Sequence, residues 1–153
     1  MLYLVERKKV VIVGIPGVGK TSLVTRIVEL INAEKHCASV HSYGTVMMDE
    51  ASNNQVSDRD NLRHLPVSQQ KDLQKQAAKK ISELTDDVVF VDTHAFISTN
   101  EGFYPGLPYH VIQILEPTHL IAISARPEEI YNRRMKDDSR NQDKISIEAI
   151  KKE

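Results

Sequence analysis

The chain has 153 residues and is nearly neutral, with 20 lysine and arginine side chains against 21 aspartate and glutamate side chains. This length is typical of one domain with its own hydrophobic core, and a hydrophobic fraction of 41% argues against a disordered or collagen-like chain. The balanced charge argues against nucleic acid as a partner, because such partners select basic surfaces. No apolar run approaches the ~20 residues of a membrane-spanning helix, so no membrane partner is expected. The single cysteine, Cys37, excludes an internal disulfide and fits a reducing cytoplasm.

Short apolar runs alternate along the chain with longer segments of helical periodicity. These segments predict strands at Lys8–Gly14, Ala38–Gly44, Asp87–His94 and His119–Ala125. The first and third are predicted to be buried, and the second, which alternates, to be half exposed. The periodic segments predict helices at Thr21–Ala33, Thr45–Ala51, Asp58–Leu65, Ser68–Leu84, Tyr109–Glu116 and Pro127–Asp138, with another beginning at Ile145. The turn-rich segment Asn100–Pro108 is predicted to be a loop. This alternation predicts an α/β fold in which helices cover both faces of a parallel sheet.

The segment between the first strand and the first helix reads GIPGVGKTS, from Gly14 to Ser22. It matches G-x-x-x-x-G-K-[ST], whose glycines let successive backbone N–H groups point at one anion. The helix that follows adds its N-terminal N–H groups and its dipole. Lys20 supplies a flexible positive charge for the terminal phosphates, and the Thr21 hydroxyl supplies a ligand for Mg²⁺. The strand–loop–helix context is the one that this motif requires, so the sequence predicts a nucleotide-binding site.

Other charged residues are expected at the same edge of the sheet. Asp92 ends the third strand and is the expected second acid near the metal. An enzyme that moves phosphate between nucleotides also needs cations beyond the loop. Two groups of arginines fit this need: Arg59 and Arg63, one helical turn apart, and Arg133, Arg134 and Arg140, after the fourth strand. A regulatory GTPase is disfavoured, because the sequence contains no N-K-x-D guanine reader.

In several segments the chain resembles the archaeal-type adenylate kinases: GIPGVGKTS, SYGTVM, DRDNLRHLP, VVFVDTH, GFYPGLP and NRRMKDDSRNQD. The resemblance runs from Lys8 to about Lys152. It implies reversible phosphoryl transfer from ATP·Mg to AMP, giving two ADP. It also implies a P-loop fold of three α/β/α layers with a helical AMP-binding insertion and a small lid. Because the family includes trimers, a homo-oligomer is expected.

The resemblance implies specific roles on the ATP side. Lys20 would stabilise the transferred group, Arg134 would stack near the adenine, and Arg140 would bridge the phosphates of both nucleotides. Thr21 and Asp92 would serve Mg²⁺, the carboxylate through water. The lid would exclude water, which prevents hydrolysis of the γ-phosphate. The ATP phosphates would be held by Gly14, Ile15, Pro16, Gly17, Val18, Gly19, Lys20, Thr21 and Ser22.

The resemblance also implies roles on the AMP side. Gly44 and Thr45 open a helix that would approach AMP, and Arg59 and Arg63 are its candidate contacts. From its position two residues after Asp92 in VDTH, His94 is interpreted as a group that positions Asp92 or contacts a phosphate on the AMP side, or as a structural residue.

Domain organisation follows from the same resemblance. Residues 1–153 would form one P-loop kinase domain, divided into a phosphate-loop core (8–44), an AMP-binding insertion (45–85), further core (86–126), a lid region (127–143) and the start of a C-terminal helix (144–153). Gln142 stands where the family's lid is expected to carry an arginine, which would weaken phosphate binding. The last core strand of the family is expected to be missing.

Two other functions stay open at this point. Base recognition can rest on backbone atoms, so a kinase for another nucleoside monophosphate, such as CMP or UMP, fits the same motifs. An ATP-binding module with little turnover is an alternative of a different class, since the expected C-terminal segment is missing.

Overall fold

The computed structural model describes residues 6–53, 65–99, 102–136 and 145–152. Within these ranges the strands are β1 (Lys8–Val13), β2 (Ala38–Ser42), β3 (Val88–Thr93), β4 (Phe96–Thr99), β5 (Gly102–Pro105) and β6 (His119–Ala122). The helices of the same ranges are α1 (Lys20–Ala33), α2 (Tyr43–Asn53), α3 (Val67–Ser82), α4 (Tyr109–Leu115), α5 (Pro127–Lys136) and α6 (Ile147–Ile150).

Four strands form one parallel sheet in the order β2–β3–β1–β6. In the register of this sheet, Val13 at the end of β1 lies opposite both Thr93 and Ala122. The inner strands β1 and β3 are nearly continuous apolar runs, as expected of strands buried on both faces. Because all four strands run in the same direction, the residues that follow them gather at one edge of the sheet. Ligands of open α/β sheets bind at this carboxyl edge.

Helices cover both faces of the sheet, as the sequence predicts. On one face the helices α2, α3 and α4 pack on β1 and β3 through a buried cluster that includes Val11, Val13, Met47, Leu73, Ala77, Ile81, Val89, Val91, Val111 and Leu115. On the other face α1 packs on the same strands through Val10, Ile12, Val24 and Phe90. Burial of these apolar side chains is the main favourable contribution to folding.

A third apolar cluster ties the phosphate loop to the C-terminal helices. Val18 of the loop, Ile130 of α5 and Ile150 of α6 are buried together. This packing fixes α5 against the loop. β6, at the edge of the sheet, is exposed along its length, and Leu120 is 66% exposed. None of the helices in the described ranges combines the length and the apolar character that crossing a bilayer requires.

The start of α2 corrects one predicted boundary. The second strand was expected to run to Gly44, but β2 ends at Ser42 and the helix begins at Tyr43. The Tyr43 side chain is buried, and its hydroxyl donates a hydrogen bond to the carbonyl oxygen of Gln74 in α3 at 2.7 Å. This tertiary contact outweighs the strand preference of an aromatic residue.

A hairpin corrects a second prediction. The segment Asn100–Pro108 was expected to be a loop, but part of it forms β5, which pairs antiparallel with β4. Phe96 lies opposite Pro105 and Ile97 opposite Tyr104. The predicted helix Asp58–Leu65 lies almost entirely outside the described residues.

Candidate active site

The phosphate loop connects β1 to α1 at the carboxyl edge of the sheet. Gly17 and Gly19 have φ values of 82° and 101°, a region in which a side chain would be strained. Gly14 lies where a Cβ would come within 2.6 Å of the carbonyl oxygen of Ile123. No side chain among the described residues caps the first turn of α1, and that turn carries no acidic residue. Its first backbone N–H groups therefore face the loop as donors for an anion.

Lys20, the first residue of α1, is folded back over the loop. Its side chain is 7% exposed, and Nζ donates a hydrogen bond to the carbonyl oxygen of Gly14 at 2.6 Å. The same Nζ lies 3.5 Å from the carbonyl oxygen of Ile15. The flexible lysine side chain can turn from this position into the space above the loop, where its ammonium group can reach a bound phosphate.

Asp92 lies beside this lysine. Its carboxylate oxygen Oδ1 is 3.9 Å from Nζ of Lys20. The register places Asp92 opposite Ile12 on one side and Ser42 on the other. Asp92 therefore stands between the strand that leads into α1 and the strand that leads into α2. Thr21, on the exposed surface of the first turn of α1, brings a hydroxyl to the same edge.

His94 contacts the phosphate loop directly. Its ring nitrogen Nδ1 lies 3.0 Å from the carbonyl oxygen of Gly14, the same atom that accepts from Lys20. Because a carbonyl oxygen carries no hydrogen, Nδ1 must be the protonated donor nitrogen of this pair. The sequence associated His94 with the AMP side; in the structure its Nδ1 lies against the phosphate loop, and the AMP contact stays a prediction.

Two adjacent arginines of α5 approach the loop in different ways. Arg134 is 4% exposed and donates from Nε to the carbonyl oxygen of Pro16 at 2.9 Å. Arg133 is exposed and donates from one guanidinium nitrogen to the carbonyl oxygen of Val18 at 2.8 Å. Neighbouring residues of a helix point about 100° apart, so only one of them can lie under the loop.

An open cleft of about 590 Å³ adjoins the end of the loop and the first turn of α1. Its lining contains a guanidinium group, a hydroxyl and apolar side chains, from Val18, Gly19, Ser22, Leu23, Ile123 and Arg133. This size and mixture of groups are typical of a small-molecule site. Arg133, not Arg134, is the arginine that lines it.

The expected AMP side begins at the first turn of α2. Gly44 and Thr45 are both exposed there, and the direction in which a Cβ would project from Gly44 is open, with no atom within 4 Å. Burial raises the pKa of Tyr43 well above its ordinary value, so its hydroxyl stays a donor to α3. In α3, the Gln74 side-chain oxygen Oε1 lies 3.1 Å from Nε2 of His110. These contacts tie the start of α2 to α3 and α4.

The comparisons with known proteins agree with this geometry. A family profile described as an AAA domain matches residues 13–151. The adenylate kinase of Methanocaldococcus jannaschii is 41% identical over 147 residues, which cover 95% of this chain and 77% of that protein. The adenylate kinase of Sulfurisphaera tokodaii is 38% identical over 145 residues, which cover 92% of this chain and 75% of that protein. The chain belongs to the archaeal-type adenylate kinases.

A solved structure supports the fold of this adenylate kinase. The crystal structure of APE1195 superposes with a TM-score of 0.54 at 22% identity, covering 87% of this chain and 69% of that chain. The relatives named above are adenylate kinases, so neither a kinase for CMP or UMP nor a binding module with little turnover is favoured. The chain is an enzyme of the nucleoside monophosphate kinase class.

Some expected site residues of this adenylate kinase fall outside the described residues: Arg59, Arg63 and Arg140, together with Gln142. Those that are described gather at the carboxyl edge of the sheet, on the loop, at the end of β3, at the first turn of α2 and on α5. Sequence reasoning counted Arg133 among the candidate phosphate cations but gave it no specific contact, because the repeated RR of NRRMK does not reveal which arginine faces outward. The packing of Ile130 against Val18 sets the rotation of α5 and thereby which arginine faces outward.

Proposed function

We propose that this adenylate kinase transfers the γ-phosphoryl group of ATP·Mg to AMP and forms two ADP. The observation that carries the proposal is the position of two helix starts on either side of Asp92. α1 follows β1 and α2 follows β2, while β3, which ends at Asp92, lies between those strands. A helix N-terminus favours phosphate. Two such ends flanking one carboxylate support a donor nucleotide on α1 and an acceptor on α2.

The donor side is supported by the cations around the loop. Lys20 is the group proposed to stabilise the transferred phosphoryl group, because its ammonium lies against the loop carbonyl of Gly14 and 3.9 Å from Asp92. Arg133 is proposed to contact the adenine or ribose across the cleft, in place of the role that the resemblance gave to Arg134. Arg134, which is buried against Pro16, is proposed to hold the loop in shape.

A magnesium ion fits the groups at this edge. Mg²⁺ prefers hard oxygen ligands and is usually held by one or two protein groups together with substrate phosphates. Thr21 and Asp92 supply a hydroxyl and a carboxylate. Within the described ranges no three His, Cys, Asp or Glu side chains are grouped to hold a metal by themselves. When bound, the ion would neutralise developing phosphate charge. Thr21 and Asp92 are its proposed ligands, Asp92 through water.

The acceptor side is proposed to lie over the first turn of α2. Gly44 and Thr45 leave this turn open, and Arg59 and Arg63 are proposed to pair with the AMP phosphate. Arg140 is proposed to bridge both nucleotides as the lid closes, and Gln142 to weaken that closure. The division into core, AMP-binding insertion (45–85) and lid (127–143) belongs to this proposal. A cytoplasmic location and assembly into a homo-oligomer are proposed with it.

A substrate panel tests the proposal. ADP formation is followed with ATP·Mg and each of AMP, CMP, UMP and GMP. We expect turnover with AMP to exceed turnover with each of the others. Faster turnover with CMP or UMP would leave the kinase activity in place and make that nucleotide, not AMP, the preferred acceptor. Hydrolysis of ATP that is unaffected by any monophosphate would contradict the proposed transfer.

A further inference from the structure

One carbonyl oxygen of the phosphate loop is shared by two donors from different parts of the chain. Nζ of Lys20 lies 2.6 Å from the Gly14 carbonyl oxygen, and Nδ1 of His94 lies 3.0 Å from the same atom. A carbonyl oxygen has two lone pairs and can accept both hydrogen bonds. The catalytic lysine and a residue beyond β3 therefore meet on one acceptor.

The backbone around His94 is held in place from outside the loop. Thr93, immediately before it, is the last residue of β3 and lies opposite Val13 of β1. A Cβ on Gly106 would come within 2.0 Å of the His94 carbonyl oxygen, so only glycine permits this approach. The N–H of Gly106 donates to the carbonyl oxygen of Ala95 at 2.8 Å. The strand on one side and the segment after the hairpin on the other fix the origin of the His94 side chain.

The shared acceptor matters because the two donors differ in their expected movement. We expect Nζ of Lys20 to leave the Gly14 carbonyl oxygen as it moves toward a bound phosphate. Without His94, this partly buried carbonyl would lose the hydrogen bond from Lys20 with no described donor in its place, and an unsatisfied polar group opposes such a movement. His94, anchored by the backbone contacts described above, stays. The carbonyl then keeps a donor in both positions of the lysine.

We propose that His94 is a positioning residue that keeps the Gly14 carbonyl hydrogen-bonded while Lys20 moves from the loop to the ATP phosphates. This inference rests on the proposed role of Lys20 in phosphoryl transfer. It replaces the AMP contact expected from the sequence with a function on the ATP side. No group is transferred in this movement of Lys20. The protonation of the histidine ring does not change either, because Nδ1–H remains a donor throughout.

Matched substitutions separate this role from a contact to AMP. In His94→Asn the amide nitrogen occupies a place close to that of Nδ1, whereas in His94→Gln it lies closer to that of Nε2. The binding of ATP·Mg is measured by calorimetry without AMP, and KM for AMP is measured separately. We expect His94→Gln and His94→Ala to weaken ATP·Mg binding about 10–100-fold, the usual effect of one lost hydrogen bond near a charge. His94→Asn is expected to restore most of that affinity.

Two results would overturn the proposal. One is a rise in KM for AMP with unchanged ATP·Mg binding, and the other is an Asn variant that binds ATP·Mg no more tightly than the Gln variant. Because calorimetry needs no turnover, it tests the inference even if the substrate panel contradicts adenylate kinase activity. Thermal melting of each variant identifies any that is unfolded.

A second measurement tests the link between the two donors. ATP·Mg binding is compared for His94→Ala, Lys20→Met and the double variant. If His94 acts by easing the release of Lys20, its replacement has little further effect once the lysine is gone, and the cycle shows strong coupling. Additive losses would overturn the proposal, because a purely structural role of His94 would persist without the lysine.

Discussion

Arg134 donates from Nε to the carbonyl oxygen of Pro16 at 2.9 Å, with only 4% of the arginine exposed. A Cβ on Gly17 would lie 3.0 Å from Cγ of the same arginine, so the loop closes tightly over the side chain. Arg133, one residue earlier and exposed, donates instead to the carbonyl oxygen of Val18 at 2.8 Å. Arg134 therefore supports the loop from a buried position, whereas Arg133 contacts the loop from an exposed one.

This division predicts opposite behaviour of the two arginines. Arg134→Met removes the donor to Pro16 and is expected to lower the free energy of unfolding by about 1–3 kcal/mol, the cost of an unsatisfied, partly buried acceptor. Arg133→Met is expected to leave the melting temperature unchanged and to weaken ATP binding by about 2–30-fold, as for loss of a cation that stacks on an aromatic ring. Denaturant unfolding and calorimetry measure the two effects. A stable Arg134→Met variant that loses ATP affinity would return the adenine contact to Arg134.

Replacement of Lys20 tests the loop lysine. Lys20→Ala is expected to lower kcat by about 10²–10³-fold, the usual loss for one preorganised donor of charge stabilisation. Lys79→Ala, an exposed lysine near the end of α3, is the matched control and is expected to behave like the unmodified chain. The measurement is ADP formation at saturating nucleotide. Near-normal kcat in Lys20→Ala would remove the lysine from the chemistry.

The open space beside Gly44 predicts a substitution that affects one substrate only. No atom lies within 4 Å of the position where a Cβ would project. Gly44→Ala is therefore expected to fold with unchanged or slightly higher stability, because alanine favours a helix by about 1 kcal/mol over glycine. If AMP lies over this turn, the added methyl group crowds it and raises KM for AMP about 5–100-fold. A change confined to KM for ATP would contradict this assignment of the acceptor side.

His110 predicts a pH dependence of stability. Burial, followed by the charges of Lys75 and Lys71, lowers the pKa of His110 from its ordinary value. The unfolded chain then binds a proton more readily than the folded chain. Stability from neutral His110 is fully present above the unfolded pKa of about 6.5 and falls as pH drops toward the lowered pKa of the folded state.

The variant His110→Gln isolates this effect, since an amide can still donate toward Gln74. Unfolding by denaturant is measured at about pH 7.5 and about pH 5.5, a window above the titration of ordinary carboxylates. The unmodified chain is expected to lose more stability across the window than His110→Gln does. Equal losses in both proteins would show that His110 does not contribute to the pH dependence.

The periodic and apolar patterns were sufficient to predict the main sheet and the phosphate loop. β1 and β3 are apolar runs for which the sequence predicted only strands. The glycine spacing around Lys20 follows from the need to point backbone N–H groups at a phosphate. The hairpin β4–β5 was missed because each strand has four residues and the second contains Gly102 and Pro105, which are typical of turns.

Contacts distant in sequence limited the prediction of the site. His94 meets Gly14 across 80 positions of the chain, and Arg133 meets Val18 across 115. A motif names residues of the right chemical type, but the rotation of α5 and the path of the chain after β3 decide which atoms meet. The metal-site and AMP-side assignments remain predictions for the same reason.

Transfer of a labelled phosphoryl group shows directly whether the enzyme phosphorylates AMP. ATP carrying a labelled γ-phosphate is incubated with Mg²⁺, AMP and the enzyme, and the products are separated. We expect the label to appear in the β-phosphate of ADP, two ADP to form for each ATP consumed, and a non-hydrolysable two-headed adenosine analogue to block both. Label released as inorganic phosphate, or no transfer to AMP while ATP still binds, would contradict this expectation.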